Sequence, residues 1–307
     1  MHNAVGSPPR QRRAPSSVPS AGTGLCTGHH GELLQGSFAH AERGLITLPV
    51  QEISSRACFT PTTGDRALTV VPRQRAKARD AALQALAALG RADLGGVLEI
   101  RSTIPVGKGF GSSSCDIVAT IRAVHDALGR ELTPELTAAI ASRVESASDP
   151  LMYNGSTVLF AQREGRVVRT LPCLPPLWVL GCDSAPPDGR VLTELMALPA
   201  YTGEELRTFE GLLRDMVRAL ERRDVDLIGE VATQSAVINS RYLPNPLLGP
   251  AQEVSGACAA AGVQVAHSGT LVGLLFADAP DVRGRAAEAA RLLRPFGARR
   301  FRLHRVR

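Results

Sequence analysis

Lysine is almost missing from this chain. Of 35 basic residues among 307, two are lysine, Lys77 and Lys108, and the rest are arginine. Aromatic side chains are also few, at 4% with a single Trp, so a core must rest on Leu, Val, Ile and Ala. No apolar run reaches the roughly 20 residues that a spanning helix needs, which argues against a membrane partner. No C-x-x-C pair occurs among the six cysteines at 26, 58, 115, 173, 182 and 258. That pattern excludes a zinc framework or a disulfide lattice and points to a reducing, cytoplasmic setting. The opening "MHNAVGSPPRQRRAPSSVPS" has neither an acid nor an apolar h-region. It therefore reads as a disordered basic tail over 1–21 and not as a secretory or twin-arginine signal.

What is present describes a soluble globular protein, with 44% hydrophobic and 21% charged residues. The length suits two domains. The formal charge of +6 collects at the two ends of the chain. In the terminal "RRFRLHRVR", Phe301 and Leu303 alternate with arginines as in a half-buried strand. A solvated strand face accounts for that charge better than a nucleic-acid footprint, so no nucleic-acid partner is expected.

Periodicity gives the order of elements. "GLITLPVQEISSRACFTPTTG" and "ALTVVP" read as strands broken by turn residues, and Asp80–Leu89 as an alanine-rich helix. "GGVLEIRSTIPV" is a strand, and Ile117, Ile121, Val124 and Leu128 recur at helical spacing after Ser112. A further helix follows in "TPELTAAIASRVESA", with Thr133 as N-cap and Pro134 in the first turn. "STVLF" closes the first half as a strand. The pattern changes within Gln162–Pro176, so domains are expected over 22–168 and 169–307. The second half reads as strand "LWVLGCD", helices over 203–223, 225–241 and 249–261, two strands in "VQVAHSGTLVGLLF", a helix over 282–293, and the last strand. Strands and helices mixed without regular βαβ repetition make the fold class α+β.

One segment carries the chemistry. "IPVGKGFGSSSCDI" (Ile104–Ile117) holds Gly107, Gly109 and Gly111, then Ser112, Ser113 and Ser114 at the head of the periodic helix. Glycines let several N–H groups converge into a concave anion site, and the helix adds its positive dipole end. Serine hydroxyls can reach phosphate oxygens or a hydrated Mg²⁺, and Lys108 could offset charge on a moving phosphoryl group. The plain alternative is a flexible turn before an ordinary helix. A Walker-type loop would need Ser or Thr after the lysine, where Gly109 stands. A dinucleotide fingerprint would need an acid at a strand end about 20 residues on, whereas Asp126 falls inside the helical pattern.

"PVGKGFGSSS" resembles the phosphate loop P-x-x-x-G-L-G-S-S of the GHMP kinases (galactokinase, homoserine kinase, mevalonate kinase and relatives), with Phe110 in place of the leucine. The string through Asp116 is most similar to the L-threonine kinase branch, associated with cobalamin side-chain synthesis and propanediol metabolism. The resemblance implies a ribosomal protein S5 domain 2-like amino-terminal domain and a ferredoxin-like carboxyl-terminal domain. It implies ATP and Mg²⁺ as cofactors, with ATP held by Pro105, Gly107, Lys108, Gly109, Phe110, Gly111, Ser112, Ser113 and Ser114. Three motifs in family order span Gly22 to about Ala277.

The first supporting stretch is "TGHHGELLQGSF" (Thr27–Phe38), similar to the family's substrate motif with core G-E-L-x-Q-G. A carboxylate and an amide at Glu32 and Gln35 suit the ammonium and hydroxyl groups of a small zwitterion, and His30 joins them as a substrate-binding expectation. A metal site at His29, His30 and Glu32 lacks a third histidine or cysteine at ligand spacing, and a polar turn is the other reading. The second stretch, "AHSGTLVGLLF", is by itself a hairpin with Gly269 at its tip. The resemblance gives Ser268, Gly269 and Thr270 a substrate-site role.

Glu145 closes its helix and Asp149 follows it, where carboxylates oppose the dipole by roughly 0.3–1 kcal/mol each. A compensating cation is implied, whether Arg143, solvent or Mg²⁺. By resemblance Ser113 and Glu145 hold Mg²⁺, and Asp149 orients or deprotonates the acceptor hydroxyl, so that Asp149 and Lys108 are the catalytic expectations. The function this implies is ATP-dependent phosphorylation of a small hydroxy-amino acid, L-threonine first. Homoserine, serine or a specialised metabolite are the alternative acceptors, and a non-catalytic nucleotide sensor is the alternative outside enzymes. The partner is thus a small molecule, with room for a homodimer.

Overall fold

The computed structural model describes residues 20–153, 155–183, 200–267 and 269–306. The tail expected over 1–21 lies almost wholly outside them, as does Ser268.

Two long antiparallel strands form the spine, β1 (Gly22–Phe38) and β2 (Ala41–Thr62), registered from Gly22↔Phe59 to Phe38↔Ala41. The sequence predicts shorter strands interrupted by turns. Instead, register shifts between Thr27 and His29 and between His29 and Glu32 absorb the glycine-rich stretch as bulges. A bulge bends a strand and re-aims its side chains without ending it. β3 (Leu68–Val71) runs parallel to β4 (Gly95–Ser102), with α1 (Ala76–Ala88) making the crossover. Next come α2 (Ser112–Ala127), α3 (Pro134–Glu145), β5 (Thr157–Ala161), β6 (Arg166–Leu171) and β7 (Leu177–Asp183). The remainder is α4 (Gly203–Arg222), α5 (Val225–Ser240), α6 (Leu248–Ala257), β8 (Gly262–Val265), β9 (Leu271–Ala277), α7 (Val282–Leu293) and β10 (Arg299–Val306).

The mixed α and β content matches the expected class. The strands join in the order β10-β7-β9-β8-β1-β2-β4-β3, with β5 on β2 and β6 on β5. One sheet thus runs through both halves of the chain. Where β1 meets β8, Glu32 pairs with Val265, so a residue of the predicted substrate motif stands at the seam.

The helices close three cores on this sheet. Leu86, Ile121 and Ile140 of α1–α3 pack with Phe59. Phe209, Met216 and Val231 of α4 and α5 pack with Leu33, and Val254 and Leu293 of α6 and α7 pack with Phe276. α2 is buried along nearly its whole length, so its mouth is fixed against β1. Thr133 caps α3 as predicted, its hydroxyl accepting from the Leu136 amide at 3.2 Å. That cap sets the register that brings Glu145 to the far end of the helix. Among the described residues, no helix is long and apolar enough to cross a membrane.

Candidate active site

The glycine loop enters α2 with φ of 71° at Gly107, 102° at Gly109 and 71° at Gly111. Gly111 is the N-cap, and its carbonyl accepts from the Cys115 amide at 2.9 Å. The amides of Ser112, Ser113 and Ser114 therefore precede the first intrahelical bond and open the helix mouth as an anion site. Gly111 has a second reason to be glycine. A Cβ there would fall 2.6 Å from His29 Cδ2 and 3.0 Å from Asp149 Oδ2.

Both predicted acids stand at this mouth. Ser114 Oγ lies 2.8 Å from Glu145 Oε1 and 3.2 Å from Asp149 Oδ2, so one hydroxyl proton serves two carboxylates. The cation implied for Glu145 is Lys77, whose Nζ reaches Oε2 at 3.5 Å from the first turn of α1. Burial pushes the Glu145 carboxyl up to about 7, against the pull of Lys77 and of hydrogen bonds from Ser113 and Ser114. A carboxylate and two hydroxyls at the mouth are hard oxygen donors, the kind Mg²⁺ takes. The donor set fits the implied ion.

His29, for which the sequence offers only a polar turn, stands at the centre of the site. Its Nε2 donates to Asp149 Oδ2 at 3.1 Å and its Nδ1 to Gly31 O at 3.3 Å. With an acceptor at each ring nitrogen, the ring is an imidazolium. Burial works to lower its pKa, but the charge and hydrogen bond of Asp149, with the Glu32 charge and the Gly31 carbonyl, together overcome it and lift the group to about 9. In return, although burial pushes the other way, His29 holds Asp149 below the usual carboxylate range. The His29 amide also donates to Phe110 O at 3.3 Å, tying β1 to the loop.

Glu32 and Gln35 converge on His267 just past β8. The His267 amide donates to Glu32 Oε2. Its Nδ1–H donates to Gln35 Oε1 at 3.0 Å, and its Nε2 accepts from Gln162 Nε2 at 3.1 Å. That arrangement is the neutral tautomer, consistent with a pKa pushed down to about 4 by burial. Burial raises Glu32 to about 8 against the nearby His29. His29, Glu32 and Asp149 each offer a ligand atom within 4.8 Å of the others. The third partner of that cluster is an aspartate 120 residues away, which inspection of the local motif could not supply.

His30 goes elsewhere. Adjacent strand residues point to opposite faces, and its ring packs edge-on to Phe110 at 5.4 Å and against Gly181 and Gly273. Gln264 Nε2 donates to its Nδ1. It is not brought to the Asp149 cluster.

The Gly269–Thr270 turn meets the glycine loop directly. The Thr270 amide donates to Lys108 O at 3.1 Å. At Gly269, with φ of 127°, a Cβ would lie 2.3 Å from that same oxygen. Lys108 is buried and turns its Nζ to Asp183 Oδ2 at 3.1 Å. Sequence reading missed Lys77, His267 and Asp183. Only Lys77 carried a signal, as one of two lysines in an arginine-rich chain.

Residues 76–153, from α1 to the turn after Asp149, match the family described as GHMP kinases N terminal domain. The chain is 27% identical over 252 residues to an L-threonine kinase of Citrobacter freundii, spanning 81% of this chain and 84% of that one. It is 26% identical over 273 residues to an L-threonine kinase of Salmonella typhimurium, spanning 86% and 87%. The fold is shared with a homoserine kinase from Cytophaga hutchinsonii, at TM-score 0.70 and 14% identity over 95% of this chain and 96% of that one. It is also shared with a phosphomevalonate kinase of Streptococcus pneumoniae solved with phosphomevalonate and AMPPNP, at TM-score 0.65 and 15% identity over 93% and 99%. Fold, loop and relatives define an ATP-dependent phosphotransferase with an alcohol as acceptor. The match to the GHMP kinase amino-terminal domain falls on the stretch that carries the glycine loop, Glu145 and Asp149, and the two relatives that span most of the chain are kinases of a small molecule.

Proposed function

We infer that the acceptor is a small hydroxy-amino acid, L-threonine first, converted to O-phospho-L-threonine. The observation that carries this reading is the meeting of Asp149 with Glu145 on Ser114, at the helix mouth and beside Glu32. The two L-threonine kinase relatives support the choice of acceptor.

ATP would lie with its phosphates on the amides and hydroxyls of Ser112–Ser114 and within reach of Lys108, the loop from Pro105 through Gly107, Gly109, Phe110 and Gly111 shaping the cradle. Ser113 and Glu145 would hold Mg²⁺, which when bound supplies charge neutralisation for the phosphates. The acceptor oxygen bonds to the γ-phosphorus, the bridge to the β-phosphate breaks, and ADP departs. The hydroxyl proton passes to Asp149 or, with Asp149 only orienting, to solvent. An Asp149 held ionised by His29 is a hydrogen-bond acceptor at every neutral pH, which suits orientation of a hydroxyl.

The pocket has the polarity of a zwitterion. Glu32 offers a carboxylate for the ammonium, and an incoming cation would restore its charge. The β1–β2 register, Glu32↔Thr47 and Gln35↔Leu45, puts Arg43 on the same sheet face. Arg43 is buried with its guanidinium 4.3 Å over the Tyr201 ring, a positive end for the substrate carboxylate. Gly269 and Thr270 would close the pocket from the second of two lobes, 22–168 and 169–307, with Glu32 at their seam. Among the described residues the cysteines are free, in keeping with a reducing cytoplasm.

The test is an ADP-release screen over L-threonine, L-serine and L-homoserine, with Mg²⁺ present or withheld. L-Threonine should give the highest kcat/KM, and Asp149→Asn should lose turnover far more than ATP affinity. ATP binding without ADP release on any of these amino acids would overturn the acceptor assignment.

A further inference from the structure

Resting on the phosphate reading of the glycine loop, we propose that Asp183 is a positioning residue for the nucleotide: it fixes the Lys108 ammonium, and with it the loop, before ATP arrives. Three separate parts of the chain converge on this carboxylate at the end of β7. Lys108 Nζ comes from the glycine loop at 3.1 Å, and Arg300 Nη1 from β10 at 3.0 Å. Thr270 donates its hydroxyl to Oδ1 from the turn after His267. Thr270 is itself bound to the loop through its amide and Lys108 O. Asp183 and Lys108 are both buried, so the contact is shielded from solvent and its geometry is enforced on every side.

An acid beside a polyanion site needs an explanation, because alone it would repel phosphate. Here the buried Lys108 ammonium offsets the carboxylate on the loop side and Arg300 covers its outer side, so the acid presents no net negative charge to the loop. The pairing also removes rotamer freedom from a long side chain before the nucleotide binds. Arg300 adopts φ of 54°, in a strand whose register shifts between Arg299 and Arg302. That bulge aims its side chain at Asp183.

The experiment is a double-mutant cycle read by MgATP calorimetry and by KM for ATP and for L-threonine. Asp183→Asn keeps the shape and the Thr270 partner while removing the charge. Its Kd and KM for ATP should rise about tenfold, with KM for L-threonine within twofold of wild type. In the Lys108→Ala background the same substitution should add less than a further twofold. Arg300→Ala, which removes the other cation, should bind ATP within twofold of wild type. Equal losses from Asp183→Asn in both backgrounds, or a loss from Arg300→Ala matching it, would make Asp183 a structural clamp only and overturn the proposal. Wild-type affinity in Asp183→Asn overturns it alone, whereas failure of the unmodified enzyme to bind MgATP overturns the phosphate reading and the proposal with it.

Discussion

His29 and Asp149 are 120 residues apart in sequence and 3.1 Å apart in space, joined at the mouth of α2 as an imidazolium–carboxylate pair whose histidine is buried and whose aspartate is partly exposed. Neither residue can titrate without changing the other, and both lie so close to Gly111 that a Cβ there would collide with them.

The pair sets an alkaline limit on activity. A histidine raised to about 9 stabilises the folded state fully below its unfolded value near 6.5, and that contribution is lost as pH rises through about 9. Turnover should therefore fall above pH 9 in the unmodified enzyme. In His29→Asn, kcat should drop about a hundredfold at neutral pH, and the alkaline limb should vanish. A pH–rate profile of both proteins between pH 6 and 10 checks this.

Gly111→Ala should be costly on two counts, a left-handed φ of 71° and the collision with His29 and Asp149. We expect a stability loss of about 1–3 kcal/mol together with weaker ATP binding. Thermal unfolding followed by circular dichroism, with and without MgATP, separates the two.

Glu145→Gln removes the formal charge offered to a metal while keeping a Ser114 partner. The Mg²⁺ concentration for half-maximal activity should rise at least about tenfold. Affinity for ATP measured without metal should stay near that of the unmodified enzyme. Titration of activity against free Mg²⁺ gives the first number and metal-free calorimetry the second.

Acid stability should depend on His30. Burial holds this group down at about 3, so the folded state refuses a proton that the unfolded chain accepts below about 6.5. Stability is then present above that value and is lost as pH falls from about 6.5 toward 3, on the order of a few kcal/mol. His30→Gln should flatten the slope of unfolding free energy between pH 6 and 4, as measured by urea titration.

What could be read in advance follows from the range of each interaction. The glycine loop, its serines, the Thr133 cap and the helix-ending Glu145 are local patterns whose physics fits within a few residues. Asp149 could be singled out because a carboxylate just beyond a helix end asks for a partner. His29 and His30 could not be told apart, since strand alternation sends one to the cluster and the other into the sheet, and bulges decide which. Asp183, His267 and Lys77 act through partners supplied by distant strands and helices. Their roles become visible only when sheet order is known. The long β1 and β2 were hidden for a related reason: glycines that elsewhere mark turns serve here as bulges and close-packing points.

The scarcity of lysine gives the molecule a built-in reporter. Both ε-amines of the chain sit on carboxylates at the candidate site, Lys77 with its side chain 35% exposed and Lys108 with 8%. Amine-selective acylation, read by peptide mass, would therefore tag this one region and leave the arginine-covered exterior unlabelled, apart from the α-amine. Lys77 should be marked early and Lys108 late, so the ratio of the two adducts becomes a footprint of whatever occupies the cleft.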